Sequence, residues 1–411
     1  MALVGTETAA AGSKSFRASE LNRGALVFKL NRVDAARIRA ARLRAGQTRR
    51  RLAVGRVRAA ARRGALRVRA PRAVRRRLER TRGGRARRLM ARRAASQARL
   101  VVSTAVEDAP GGSVALSPEL VWSPQGCAVP SGAHYVAPNG LDSNPGTREQ
   151  PWRTLARAES AARPGDTVVI RPGTYGARGT VTALDRNGTA TAPISFVAQP
   201  GEPAPTILGQ VRVEGNHRRL CGLLFEGPTG PVPNGTASSK GGEDVQVWIM
   251  GDDVELSRSE VRGNRWHAGV YLYRALNARI VGNYVHDNGQ FGKPAMANLD
   301  HGIYFESGSG LIADNLIEHN VAHGVQLYPE PSNVTVRNNT ITGHGRAAII
   351  FGERASANEV VDNVITGNHE GIRTWELTGT GNVVRSNRIW GNANGNFVDV
   401  GPLSLGGNWV R

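Results

Sequence analysis

The chain has 411 residues, 54 Lys+Arg, 33 Asp+Glu, 2 Cys and a formal charge of +21. Residues 1–106 hold 30 of the bases and 4 of the acids, so residues 107–411 carry 24 and 29, a net of −5, and the larger part of the chain is not a basic nucleic-acid binder. No run of about 18 apolar residues exists, which excludes a membrane-spanning helix, and two Cys exclude a disulfide framework.

The first 106 residues are Arg/Ala-rich, with Arg49-Arg50-Arg51, Arg75-Arg76-Arg77, Arg87-Arg88 and Arg92-Arg93. Arg and Ala are good helix formers, so a partly helical or poorly ordered region is expected. Three readings fit it: an arm binding nucleic acid or another anionic polymer, a solvated tail, or translation from a mis-assigned start in a GC-rich gene. Nucleic acid is a partner only if this region is genuine. No signal peptide pattern precedes the rest of the chain. Residues 107–133 read as a linker. Cys127 lies before the first strand and Cys221 inside an apparent one. They either form one bridge or stay as two free thiols, and free thiols are the expectation.

Thr154–Arg163 reads as a helix, with Thr154 as N-cap and Leu155, Ala158 and Ala162 on one face. It is expected to cap the open N-terminal end of a repeating region downstream. There, Asn283-Tyr-Val, Asn315-Leu-Ile, Asn339-Thr-Ile, Asn363-Val-Ile and Asn387-Arg-Ile are spaced by 32, 24, 24 and 24 residues, and Ser259-Glu-Val precedes them by 24. A period in the low twenties with short β-type runs indicates a solenoid, one coil per repeat. The long interval carries an eight-residue excess inside Gly289–Leu299. Polar corners follow each Asn, such as His319-Asn320 and Gly343-His344. A Gly then leads into an alternating run, such as Gly302-Ile-Tyr-Phe-Glu306, with one face in and one out. Asn suits the left-handed backbone of a tight corner, and stacked Asn amides can satisfy one another.

The Asn column and three-strand coil resemble the right-handed parallel β-helix of pectate-lyase-like, carbohydrate-active proteins. Tyr135-Val-Ala-Pro-Asn-Gly, Asn144-Pro-Gly, Pro151-Trp-Arg-Thr-Leu155, Ala162–Tyr175, Thr191–Phe196 and Pro200–Pro203 resemble the leading segment of such proteins. The resemblance covers about 134–411. It implies an all-β, right-handed parallel β-helix solenoid with a short N-terminal cap helix, behind the basic region. It also implies an extracellular location. The fold hosts lyases, hydrolases, epimerases and non-catalytic binders, so the reaction stays open.

Alignment on the Gly positions gives outward columns. One reads Tyr271, Tyr304, Gln326, Ile350, Arg373; the next reads Tyr273, Glu306, Tyr328, Gly352, Trp375. Just before the Gly stand Ala268, His301, His323, Ala347 and Glu370. Aromatic faces with a few fixed polar groups suit sugar rings. An ordinary aromatic-decorated face without ligand is the alternative. The densest spot is Asp300-His301-Gly-Ile-Tyr304-Phe-Glu306 beside His323-Gly-Val-Gln326-Leu-Tyr328, with the insertion (Lys293, Met296, Asn298) ending before it.

The expected partner is a polysaccharide of acidic type, and the leading expectation is a lyase or C5-epimerase on a uronic-acid polymer. Such chemistry needs a carboxylate neutraliser, a base and an acid. Arg373, Lys293 or Ca²⁺ would neutralise; His301 or Tyr304 would be the base; His323 or Tyr328 would be the acid or orient it. Asp300, Gln326, Tyr271, Tyr273 and Trp375 would bind substrate. The alternatives are that His301 and His323 bond backbone, that Tyr304 only stacks, and that Arg373 pairs with Glu370 or Glu376. Inverting hydrolysis needs two separated carboxylates. Glu306 and Glu330 qualify if Glu330 aligns with Gly308, roughly 8 Å away, although Pro329 and Pro331 turn Glu330 aside. Ca²⁺ has sources in Glu243-Asp244, Asp252-Asp253 and Asp300/Glu306; no transition-metal constellation is evident among the nine His. A non-catalytic glycan binder is the remaining alternative.

Overall fold

A computed structural model describes the backbone of six strands between residues 13 and 104, and residues 127–411 except 228–244, 266 and 291–298. The chain divides into two compact units, Met1–Ser117 and Pro118–Arg411. In the first, strands Ser13–Asn22, Ala25–Lys29, Ile38–Ala45, Thr48–Arg51, Ala65–Arg69 and Arg99–Thr104 form one six-stranded sheet. Its pairings are antiparallel. Among its described residues the backbone is strand rather than helix. Alternation such as Ala65-Leu-Arg-Val-Arg69 has the two-residue period of a strand. The Arg75, Arg87 and Arg92 runs and linker residues 107–126 lie outside the described residues.

The second unit is a three-sided parallel β-helix. One face runs from Val181–Leu184 through Ala268–Leu272 to Phe397–Val398. A second runs from His134–Val136 through Ala275–Val281 to Ser404–Gly406. The third is a ten-stranded ladder from Thr174–Tyr175 to Trp409–Val410. His301–Ala313 and Val325–Arg337 each cross from the first face to the second, so those two faces are continuous there. Alternate residues point inward and stack coil upon coil. Val247, Val270, Ile303, Val325, Ile349 and Ile372 form one such column, paired in register and fully buried. β-branched side chains fill these stacks because they pack on the pleated surface of both neighbours.

The corners explain the repeat. Asn283, Asn315, Asn339, Asn363, Asn387 and Asn408 form a ladder in which each side-chain amide donates to the next Oδ1 over 2.9–3.1 Å. A second ladder runs through Asn264, Asn288, Asn320, His344, Asn368 and Asn392. The left-handed residue is the one before each ladder position. Asp314, Asn338, Asp362 and Ser386 have φ between 51° and 57°. The expectation that the ladder Asn itself takes this conformation is therefore corrected. The preceding residue turns the chain, and the Asn satisfies backbone groups that the turn orphans. The leading Gly of each alternating run has a packing reason: a Cβ on Gly302 would come within 2.7 Å of Asn320 Nδ2, and one on Gly324 within 2.6 Å of His344 Nε2.

The helix spans Leu155–Ala161 with Thr154 as N-cap, its Oγ1 accepting from Arg157 N at 3.0 Å. Leu155, Ala158 and Ala162 are buried against the first coil. Glu159, on the same helix, forms a buried two-bond pair with Arg218 at 2.6 and 2.8 Å. The two cysteines correct the expectation of free thiols: Cys127 and Cys221 are bonded, with Cα atoms 5.8 Å apart. The segment from Cys127 to Tyr135 lies over Val169 and Val197 on the second face, and this brings the distant thiols together.

Candidate functional site

The first face carries the expected outward column in register. Arg212 pairs with Trp248, Trp248 with Tyr271, Tyr271 with Tyr304, Tyr304 with Gln326, Gln326 with Ile350 and Ile350 with Arg373. The rings touch: Tyr271 lies 5.0 Å from Tyr304, 5.6 Å from Trp248 and 6.5 Å from Tyr273 between centroids. Trp248 extends the cluster one coil further than the sequence columns. It sits upstream of the Gly-led repeats that defined them.

His301 and His323 stack at 5.3 Å and are both buried. Each uses Nδ1 to accept a backbone N–H from the next coil: His301 from His323 N at 3.4 Å, His323 from Ala347 N at 3.2 Å. An Nδ1 that accepts leaves the proton of the neutral ring on Nε2. Burial pushes the His323 pKa down to about 3 and that of His301 well below its usual value; unfavourable interaction with His323, His267 and Arg346, were His301 to be protonated, adds to the latter. These are neutral N–H donors, and the backbone-bonding alternative describes their Nδ1 atoms.

His267 joins this cluster and was missed by the column alignment, because it stands one residue upstream of the column before the Gly. Its ring lies 5.2 Å from Tyr304, 5.4 Å from Tyr271 and 6.3 Å from His301, and burial lowers its pKa to about 4. Asp300 anchors the base of the insertion, its Oδ2 accepting Gln290 N at 2.8 Å, and burial raises its pKa to about 6. His267 Nδ1, Asp300 Oδ1 and His301 Nε2 are each buried without a hydrogen-bond partner among the described residues. Tyr304 is nearly buried, and its hydroxyl is held in the protonated form chiefly by burial. The insertion residues Lys293, Met296 and Asn298 lie outside the described residues.

The next column is less regular. Phe305 pairs with Leu327, but Ser307 pairs with Glu330 and Gly308 with Pro331. This one-residue slip moves Glu330 from the expected partner Gly308 to Ser307. Glu330 bonds Arg354 at 2.8 Å and is about half exposed. Burial, then the Glu330 charge, raises the Glu306 pKa. Tyr328 donates its hydroxyl proton to Glu353 at 2.6 Å, which raises its pKa. Tyr273 carries Arg274 over its ring at 5.1 Å.

Toward the C-terminus the face opens into a cavity of about 730 Å³, whose lining includes His323, Arg346, Ile350, His369, Glu370, Arg373, Trp375, Glu376, Leu377 and Asp399. Arg373 is held by Glu370 at 2.9 Å and Asp399 at 3.5 Å, so its expected pairing with Glu370 is present. Trp375 and Leu377 are 51 % and 84 % exposed. Arg346 was missed because, like His267, it stands one residue upstream of the column before the Gly. Among the described residues, no group of three or more His, Cys, Asp or Glu is arranged to hold a metal ion. Of the Ca²⁺ sources read from the sequence, Glu243-Asp244 lies outside the described residues. Asp253 instead faces His217 at 3.3 Å.

Comparison with known proteins fits this geometry. Residues 134–397 match the family model for the Pel9A-like, right-handed β-helix region. Pectate lyase L of Paenibacillus polymyxa is 25 % identical over 342 residues, 72 % of this chain and 73 % of that protein. The Bacillus subtilis protein YwoF is 50 % identical over 62 residues, 15 % of this chain; the match spans 13 % of YwoF. The crystal structure of pectate lyase Pel9A superposes with a TM-score of 0.52 at 17 % identity, over 63 % of this chain and 69 % of that one.

Proposed function

Because the chain belongs to the Pel9A-like, right-handed β-helix family, we propose that it acts on a uronic-acid-containing polysaccharide by β-elimination or C5-epimerisation along its first face. One observation carries the reading: polar atoms of His267, Asp300 and His301 are buried without hydrogen-bond partners among the described residues, and the two His rings lie 5.2 and 5.5 Å from Tyr304. Native proteins rarely leave such groups unsatisfied, and they gather where chemistry is done.

The tautomers reassign the roles. His301 and His323 donate through Nε2–H, so they suit orienting or protonating substrate oxygen rather than abstracting a proton. His267 is neutral at pH 7, and neither ring nitrogen accepts a backbone N–H among the described residues, so it is the better candidate for the base that takes the proton alpha to the carboxylate. Tyr304, protonated and adjacent, supplies the acid for the leaving oxygen or for the opposite face of the ring. Trp248, Tyr271 and Tyr273 give stacking area for sugar C–H faces. Hydrolysis through Glu306 and Glu330 ranks lower, since Glu330 is tied to Arg354.

The test is a panel of polyuronides incubated with the full chain, read by ultraviolet absorbance for unsaturated ends and by reducing-end release. We expect His267→Ala and Tyr304→Phe each to lower the rate by roughly 10²–10⁴-fold. Unchanged activity in the double variant would sink the assignment. Saturable binding with no product in any assay would favour the glycan-binding reading, which the engaged Nδ1 atoms of His301 and His323 support.

A further inference from the structure

Two arginines line the C-terminal cavity of the first face, and they differ in one respect. Arg373 is neutralised by Glu370 and Asp399. Arg346 is half-buried, and no carboxylate lies within ion-pairing distance of it among the described residues. Its backbone is fixed between coils, the N–H donating to Ala322 O at 3.1 Å and the carbonyl accepting from Glu370 N at 3.3 Å. A half-buried guanidinium without a counter-ion is costly unless a ligand supplies one. The cavity also holds His323, whose proton sits on Nε2, and an exposed apolar wall of Trp375 and Leu377.

We propose that Arg346 is the residue that selects acidic sugar units. A uronate ring lies with its C–H face on Trp375, and its carboxylate is held by the Arg346 guanidinium, with His323 Nε2–H as a second donor. The inference rests on the polysaccharide reading above and names a specificity determinant within it. Arg suits the task because its planar fork matches both carboxylate oxygens, whereas a Lys would act as a point charge. The neutralised Arg373 then serves to hold Glu370 away from the ligand rather than to bind it.

The experiment titrates the full chain with short oligogalacturonates and oligomannuronates, and with the same oligomers after carboxyl reduction, followed by calorimetry. Arg346→Gln is expected to weaken binding of the acidic oligomers by roughly ten- to a hundred-fold, the scale of one charge-assisted hydrogen-bonded pair. It should leave the neutral oligomers unchanged, and Arg346→Lys should fall between. Trp375→Ala should weaken both classes. Acidic oligomers bound by Arg346→Gln at wild-type affinity overturn the inference while the polysaccharide reading stands. Wild-type protein that binds no oligomer of either class overturns both.

Discussion

At the scale of single residues, the histidines carry a pH signature. His323 and His344 are buried and held near pKa 3, and His301 is held well below the ordinary 6.5. In the unfolded chain all three bind protons below about pH 6.5, while in the folded protein they stay neutral. Their contribution to stability is therefore complete above pH 6.5 and is lost as pH falls, by up to ~1.4 kcal/mol per histidine per pH unit. His286 has the opposite sign. Despite desolvation by burial, its bonds to Asp287 and Glu260 raise its pKa, so its contribution is present throughout that acidic range and does not offset the loss. Denaturant midpoints measured from pH 7.5 to pH 4.5 should fall steeply. Replacing His344 with Asn, the residue at that ladder position in neighbouring coils, should flatten the slope. A slope that is unchanged would show that His344 titrates normally.

At the scale of the coil, stability resides in the ladders. Asn339 donates to Ile312 O, Arg337 O and Asn363 Oδ1, and accepts from Asn315. Asn339→Ala strands buried carbonyls and an N–H, at about 1–3 kcal/mol for each unsatisfied group. We expect a loss of at least ~3 kcal/mol in equilibrium unfolding, against under ~1 kcal/mol for Arg337→Ala, an exposed strand position two residues away. Equal losses would refute the ladder's role. The same element shows what was legible beforehand. The 24-residue recurrence of Asn and β-branched residues is a one-dimensional pattern, so the solenoid, its register and the column Tyr271–Tyr304–Gln326–Ile350–Arg373 could be read directly. The ladder's last member, Asn408, comes 21 residues after Asn387 rather than 24 and escaped the count. His267 and Arg346 escaped because they precede the aligned column by one residue. The proton positions of His301 and His323 depend on backbone N–H groups of the next coil, which no residue type announces.

At the scale of the molecule, the Cys127–Cys221 bond closes a loop of 94 residues containing the cap helix and the first coils. The sequence left it open against two free thiols, because only three-dimensional winding brings residue 127 against residue 221. Loop-closure entropy for a chain of this length corresponds to about 4–5 kcal/mol. Reduction, or Cys127→Ser with Cys221→Ser, should lower the unfolding midpoint accordingly, and an unaltered midpoint would contradict it. Structural disulfides are typical of oxidising compartments, which is where the proposed polysaccharide substrate would be met. The charge divides close to the boundary between the compact units. The mildly acidic β-helix does not itself attract polyanions at long range, so recognition of the proposed acidic glycan would fall to fixed local cations.

Each coil hands the next the same strand edge, the same amide ladder and the same outward columns. Length is therefore an adjustable quantity in this architecture. Duplicating one 24-residue unit, such as residues 339–362, would add a rung of about 4.8 Å without disturbing the register on either side. That advance is on the order of one sugar ring. How many units of the proposed polymer this surface would span is thus a matter of how many turns are wound, and it can change by whole steps while every individual contact stays as it is.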